Sequence, residues 1–403
     1  MMKRLRVFGW PGLLIAAVCT VAARDQVPEH FEGEYGLWVE SRKDSVVVHW
    51  LTESEMPGVA SIASLDGRVR VLLETPPAIK HRVAIPRPRV PQLQLVYGSH
   101  AARTTTLVDL TPRPRRFAVT GVDSLYVLGD THGEFNNVVA QLTRAGLIDQ
   151  RLKWTGGKKH LVFDGDLMDR GPDVTRLLWF VYGLEREAAA AGGAVHVMLG
   201  NHEIMVLLSD LRYLHTREKQ VAELHGVKYS KMYDIRESVL GQWLATKPAV
   251  ARIDDVLFAH GGVSDRFLDF NLKAIDDTLS KYMGEELFYR WADSTAVIRM
   301  DSAAYARREQ FFWDPTSAFW FRGYLQNPET GPMLTRVLEH FDAKVHVIGH
   351  TPQTEIHTRF GGKLIAAHPR HPGGELLLLV RGKDGYRTLK WNEAGELVPV
   401  PAR

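Results

Sequence analysis

Phe163-Asp164-Gly165-Asp166-Leu167-Met168-Asp169-Arg170-Gly171-Pro172 crowds three carboxylates, one guanidinium and two glycines into ten residues. The apolar run Leu161-Val162-Phe163 stops where the acids begin, so the stretch reads as the loop leaving a buried strand. Acids this close repel one another unless a cation or an arginine compensates them. A multivalent metal would do so, and the glycines let backbone and ligands approach closely. Taken alone, the stretch reads equally well as a polar turn with a structural Asp-Arg pair.

Four other segments repeat the pattern. Gly129-Asp130-Thr131-His132-Gly133 follows the apolar run Leu125-Tyr126-Val127-Leu128, and Gly200-Asn201-His202-Glu203 follows Val195 to Leu199. His260-Gly261-Gly262 follows Val256 to Ala259, and Gly349-His350-Thr351 follows Val345 to Ile348. Helical stretches from Phe135 to Ala145 and from Val174 to about Ala191 separate the first three. Alternating strands and helices predict an α/β domain with polar residues gathered at the strand ends. Leu376 to Val380 and Tyr386 to Leu389 are expected to close a sheet edge.

This inventory suits phosphoryl chemistry. Two divalent ions about 3.5–4 Å apart activate a water and clamp phosphoryl oxygens. Histidine and carboxylate ligands suit Mn, Fe, Zn or Ni. Asn201 adds a neutral carbonyl oxygen, arginines grip phosphate bidentately, and an acid must protonate the leaving alkoxide.

The motifs GDTHG, GDLMDRG, GNHE, HGG and GHT resemble the calcineurin-like metallophosphoesterases. More narrowly they resemble the phosphoprotein phosphatase family and its Shewanella-like branch, over about Leu125 to Ala366. The resemblance implies a four-layer αββα fold with a dimetal centre at the strand ends. It implies that Asp130 and His132 bind a first ion, that Asp166 bridges, and that Asn201, His260 and His350 bind a second, with manganese the expected metal. His202 becomes the general acid, oriented by Asp169; Arg170 grips the phosphate, joined by Arg322 of the segment Phe319 to Tyr324. It implies in-line attack on phosphorus without a covalent phosphoenzyme. Glu203 is expected to brace its own helix start. His368-Pro369-Arg370-His371 is read as a solvated loop rather than a metal site, and Asp164 stands where the family pattern has an uncharged residue.

Composition sets the wider frame. At 403 residues two domains are expected. A net charge of +3, with no basic run interleaved with aromatics, gives no case for nucleic acid. Cys19 is the single cysteine, so any metal is held by oxygen and imidazole nitrogen. Residues 1–23 read as a signal peptide: Lys3, Arg4 and Arg6, then the apolar Leu13 to Val18, then small residues near Ala23. This predicts a secreted or periplasmic protein, the alternative being an uncleaved membrane anchor.

Short β-branched runs between Gly, Pro and Asp turns make residues 30–110 a small all-β sandwich anchored on Trp50, with a loose resemblance to a fibronectin type III-like module. Residues 111–118 read as a linker kept solvated by arginines, and 119–403 as the catalytic α/β domain. The expected substrate is a phosphorylated protein, peptide or small molecule. The alternatives are a dinucleoside polyphosphate at the same site, or a binding module with an inactive domain.

Overall fold

The computed structural model describes residues 36–285, 302–383 and 385–403. The expected signal peptide lies outside them. No helix among the described residues is long and apolar enough to cross a membrane.

Residues up to Asp109 are all β. The strands are β1 (Trp38–Ser41), β2 (Ser45–Ser64), β3 (Arg70–Pro86), β4 (Gln92–Ser99) and β5 (Arg103–Asp109). The expectation of two facing sheets is corrected: the five strands form one antiparallel sheet, because β2 is long enough to serve two sets of partners. Its first part pairs with β1 and its last part with β4, while β3 runs along both; the register shifts between Leu51, Met56 and Gly58. Trp50 is fully buried, as expected, and its Nε1 donates to the Gly98 carbonyl at 3.1 Å.

Val46 to Thr52 are buried on both faces of the strand. Three later helices pack against this end of the sheet: α2 (Val174–Ala190), α4 (Thr216–His225) and α5 (Val239–Leu244). Trp179 of α2 donates to the Leu37 carbonyl at 3.1 Å, His225 of α4 to Gly36 at 2.9 Å, and Gln242 of α5 to Ser41 at 3.1 Å. One continuous hydrophobic cluster runs from Leu37 through Trp179 and Val206 to Leu389. The linker is pinned rather than solvated throughout: Arg115 Nη1 bonds Asp276 Oδ1 at 3.0 Å, and Nη2 bonds the Ala245 carbonyl.

Two six-stranded sheets form the α/β part. The first runs β17 (Leu397–Pro399), β16 (Gly385–Trp391), β15 (Leu376–Gly382), β7 (Ser124–Leu128), β8 (His160–Phe163), β9 (Ala194–Val197). The second runs β13 (His357–Arg359), β14 (Leu364–Ala366), β12 (Val345–Ile348), β11 (Val256–Phe258), β10 (Ala251–Ile253), β6 (Ala118–Val119). β15 is therefore interior, antiparallel to β7, and the short β17 makes the edge instead.

Strand alternation sorts side chains between layers. Leu125, Val127, Val162, Val256, Phe258, Val347, Leu377 and Leu379 meet in one cluster between the two sheets. Their neighbours Tyr126, Leu128, Leu161 and Phe163 face the other way, toward α1 (Phe135–Arg144) and α2. On the second sheet Ile348 and Leu364 pack under Leu334 and Leu338 of helix Gly331–His340. The layering is helix, sheet, sheet, helix. Each fully buried aliphatic side chain of this kind stabilises by about 1.5–3 kcal/mol.

Candidate functional site

Three strands from each sheet end at one place. β7, β8 and β9 run parallel, as do β11, β12 and β14. Their carboxyl ends deliver Asp130 and His132, Asp166 to Arg170, Asn201 to Glu203, His260, His350 and His368.

The connections are tightly interlocked. Thr131 and His132 amides both donate to the Asp166 carbonyl, at 3.1 and 2.8 Å, and Gly349 donates to the His260 carbonyl at 2.8 Å. A side chain at Gly200 would collide with the Asp166 carboxylate, so that glycine is needed for close approach. Ten non-glycine residues among those described have left-handed backbones, and five are here: His132, Asp166, Asp169, Arg170 and His350. Such strain, of order 1–3 kcal/mol each, persists only where the surroundings over-determine it.

Glu203 supplies part of that determination. Its fully buried carboxylate accepts from the amides of Gly200 at 2.7 Å, Asp166 at 2.9 Å, Leu167 at 2.8 Å and Met168 at 3.0 Å. The glutamate expected to brace its own helix, α3 (Asn201–Leu207), therefore also clamps the acidic loop.

Asp166 sits at the centre. Its Oδ2 lies 3.1 Å from His260 Nε2, 3.7 Å from His132 Nε2 and 3.8 Å from His202 Nε2. Two buried groups converge closely enough to hold a metal, and Asp166 belongs to both: His132, Asp166 and His202, and Asp166, His260 and His350. Asp130 approaches the first, with Oδ2 3.8 Å from His132 Nε2. Asn201 Oδ1 joins the second, 3.1 Å from His260 Nε2.

The chemistry of the donors fits a divalent ion. His132 donates Nδ1–H to the Met168 carbonyl at 2.9 Å, which leaves a lone pair on Nε2. That Nε2 is buried without a hydrogen-bond partner, as is His350 Nε2. Burial pushes His132 down to about 4, against the pull of Asp166 and Asp130. Burial, aided by His260, pushes His350 down to about 3. Both are therefore neutral imidazoles, the form that binds metal. Burial lowers His260 too, but the Asp166 and Asp130 carboxylates outweigh it and raise it to about 10. Burial alone would raise Asp166, yet the surrounding histidines hold it well below the usual range.

The remaining predicted residues are close by. His202 Nδ1 donates to Asp169 Oδ2 at 2.9 Å, and Arg170 Nη2 lies 3.0 Å from His202 Nε2. Burial would lower His202, but Asp166 and Asp169 raise it above the ordinary histidine value. Arg322 Nη1 bonds the His350 carbonyl at 3.1 Å and Thr351 Oγ1 at 3.3 Å. Tyr213, between α3 and α4, is 46% exposed; its ring lies 5.3 Å from that of His202 and 5.4 Å from the Arg170 guanidinium.

Two further residues are clarified. Asp164 is fully buried with neither carboxylate oxygen paired, and burial raises it well above the usual carboxylate range. Burial thus favours the uncharged form at the position where the family pattern has an uncharged residue. The solvated-loop reading is corrected for His368, which is 3% exposed with Nδ1 2.7 Å from Asp130 Oδ2. His371 does face solvent, paired with Glu393. The missed signal was the apolar run Leu364-Ile365-Ala366-Ala367 stopping at a histidine, as at the other strand ends.

A model of the calcineurin-like phosphoesterase family matches residues 124–354. The chain is 28% identical over 196 residues to Shewanella-like protein phosphatase 2 of Arabidopsis thaliana, covering 38% of this chain and 50% of that protein. It is 26% identical over 233 residues to Shewanella-like protein phosphatase 1 of Plasmodium berghei, covering 57% and 61%. The chain thus spans about half to three fifths of these curated relatives. Among solved structures, a cold-active protein-tyrosine phosphatase of a psychrophilic Shewanella species is similar with a TM-score of 0.61 and 28% identity, covering 78% of this chain and 97% of that one.

Proposed function

The chain belongs to the calcineurin-like phosphoesterase family and is a hydrolase of phosphate esters, and from that premise we propose a dimetal phosphomonoesterase whose substrate is a phosphorylated protein or peptide. The observation that carries the reading is the pair of buried ligand groups sharing Asp166, with two arginines and a carboxylate-backed histidine beside them. Likeness to a protein-tyrosine phosphatase over most of both chains supports the substrate class.

In this reading Asp130, His132 and Asp166 hold one ion, and Asp166, Asn201, His260 and His350 the other. Divalent ions bound there, manganese by preference or iron, zinc or nickel, would supply Lewis-acid polarisation and lower the pKa of a water. Arg170 turns from His202 Nε2 to the phosphate, and Arg322, anchored on the His350 carbonyl, grips a second oxygen. His202 Nε2 then protonates the leaving oxygen, while Asp169 holds Nδ1 and supports the imidazolium. Residues 1–23 serve as an export signal, which puts the reaction outside the cytoplasm.

The test is Asp166→Asn, assayed for metal content and for turnover of phosphopeptides, nitrophenyl phosphate and diadenosine tetraphosphate. We expect the variant to stay folded, to lose bound metal and to lose turnover. Turnover near the wild-type rate would sink the shared-carboxylate assignment, and wild-type preference for the dinucleotide would sink the proposed substrate class.

A further inference from the structure

We infer that His368 is a ligand of the ion held by Asp130 and His132, giving that position a second imidazole. This rests on the dimetal reading above and adds a residue to it.

Three independent features place His368 there. Its Nδ1 pairs with Asp130 Oδ2 at 2.7 Å, in poor alignment for a hydrogen bond, and is buried without any other partner. An imidazole nitrogen and a carboxylate oxygen that converge this closely are placed as two ligands of one cation would be. Asp130 Oδ1, meanwhile, is already committed to the His350 amide at 2.9 Å, so Oδ2 is the oxygen left to bind.

The backbone is built to bring His368 in. A side chain at Gly129 would strike the Ala367 carbonyl and come within 3.2 Å of His368 Cα, so the bare glycine is what lets this segment lie against the strand of Asp130. The His368 carbonyl accepts from the Gln353 amide at 3.0 Å, Ala367 N donates to Ile348 O at 2.7 Å, and Gly373 N donates to Asp130 O at 3.2 Å. The segment is therefore tied to both the Asp130 and His350 loops.

The ring itself faces the right group. The His368 and His132 rings are 6.3 Å apart at 61°, and Asp130 Oδ2 lies 2.7 Å from His368 Nδ1 and 3.8 Å from His132 Nε2. The set Asp130, His132, Asp166 and His368 then offers two nitrogens and two oxygens. Imidazole suits zinc and iron, whereas carboxylate and water suit manganese. A second imidazole shifts this position toward zinc or iron.

The experiment compares Zn²⁺ and Mn²⁺ binding, by chelator competition on the purified full chain, for wild type, His368→Ala and His371→Ala. We expect His368→Ala to weaken one of two Zn²⁺ sites by at least about tenfold, to weaken Mn²⁺ less, and His371→Ala to match wild type. A structural role alone would weaken both metals equally, and that result overturns the inference. So does His368→Ala binding two Zn²⁺ ions as tightly as wild type. Wild-type protein that binds neither metal overturns the dimetal reading itself, and this inference with it. Should His368→Ala fail to fold, wild-type crystals soaked in Zn²⁺ decide. Nδ1 at about 2.0–2.1 Å from an ion beside Asp130 supports it, and an ion there with His368 turned away refutes it.

Discussion

Replacing Asp169 by Asn tests whether the proton that leaves His202 is held there by charge. The carboxylate accepts from His202 Nδ1 at 2.9 Å, and its other oxygen is buried without a partner. An asparagine can therefore keep an oxygen toward Nδ1 and turn its NH₂ into the vacant position, which preserves the ring's tautomer and orientation. What is lost is the difference between a charge-assisted and a neutral hydrogen bond to the imidazolium. These contribute about 1.5–3 and about 0.5–1.5 kcal/mol respectively, so the difference is roughly 1–1.5 kcal/mol. At about 1.4 kcal/mol per unit, the His202 pKa should fall by about one unit. The direction follows from the wild type: Asp166 and Asp169 raise His202, so the acid form survives to higher pH and the rate declines as pH rises through that value. In Asp169→Asn the decline should begin about one pH unit lower. The assay is kcat against pH with a phosphoserine peptide, whose leaving group needs the proton, and with nitrophenyl phosphate, which needs it less. An alkaline limb that stays put with the peptide, or shifts equally with both, would show that His202 is not the acid.

Glu203 should be ordered by how many of its four backbone partners a substitute can serve. Each buried amide left unpaired costs about 1–3 kcal/mol, so melting temperatures should run wild type, then Glu203→Gln, then Glu203→Leu, and a Leu variant as stable as wild type would refute the clamp. His225, held down to about 3 by burial, joins α4 to the N-terminal sheet. Its folded value lies below the ordinary 6.5, so its stabilisation is complete above about 6.5 and is lost as pH falls toward 3. Amide protection at residues 36–41, corrected for the intrinsic slowing of exchange at lower pH, should weaken across that window in wild type and less so in His225→Gln; a pH-independent protection factor would count against it. Tyr213→Ala removes an exposed ring beside His202 and Arg170. Aromatic pairing contributes about 0.5–1.5 kcal/mol, so kcat/KM for aryl phosphates should drop about two- to tenfold relative to a phosphoserine peptide, and equal losses would remove Tyr213 from substrate selection.

The metal-ligand candidates were legible because each stands where an apolar strand stops, and parallel strands bring such ends together whatever lies between them. That logic located the five segments, the resemblance singled out Asp130, His132, Asp166, Asn201, His260 and His350 within them, and the fold gathers these side chains around Asp166. His368 carried the same mark, but its Pro369-Arg370-His371 sequel read as solvent-facing, and only the packing over Gly129 shows that the chain turns inward first. Asp164 was unreadable for a different reason. Its residue type suggests a charge, and only burial without a partner shows why its carboxyl is pushed above the usual range. The N-terminal strands were visible as strands, yet their arrangement depends on one run, Ser45–Ser64, continuing past Pro57 and Gly58, where local turn residues argue for a break. Arg115 shows the same limit: nothing in a Pro-Arg tract announces a partner at Asp276.

The covering of β1 and β2 by α2, α4 and α5 bears on how the chain reaches this state. During synthesis β1 and β2 emerge well before these helices, so their apolar side chains wait for segments more than a hundred positions later. Non-local pairing of this kind is slow, and it leaves sticky intermediates exposed meanwhile. Until residue 244 has been made, that face of the N-terminal sheet lacks the helices that cover it.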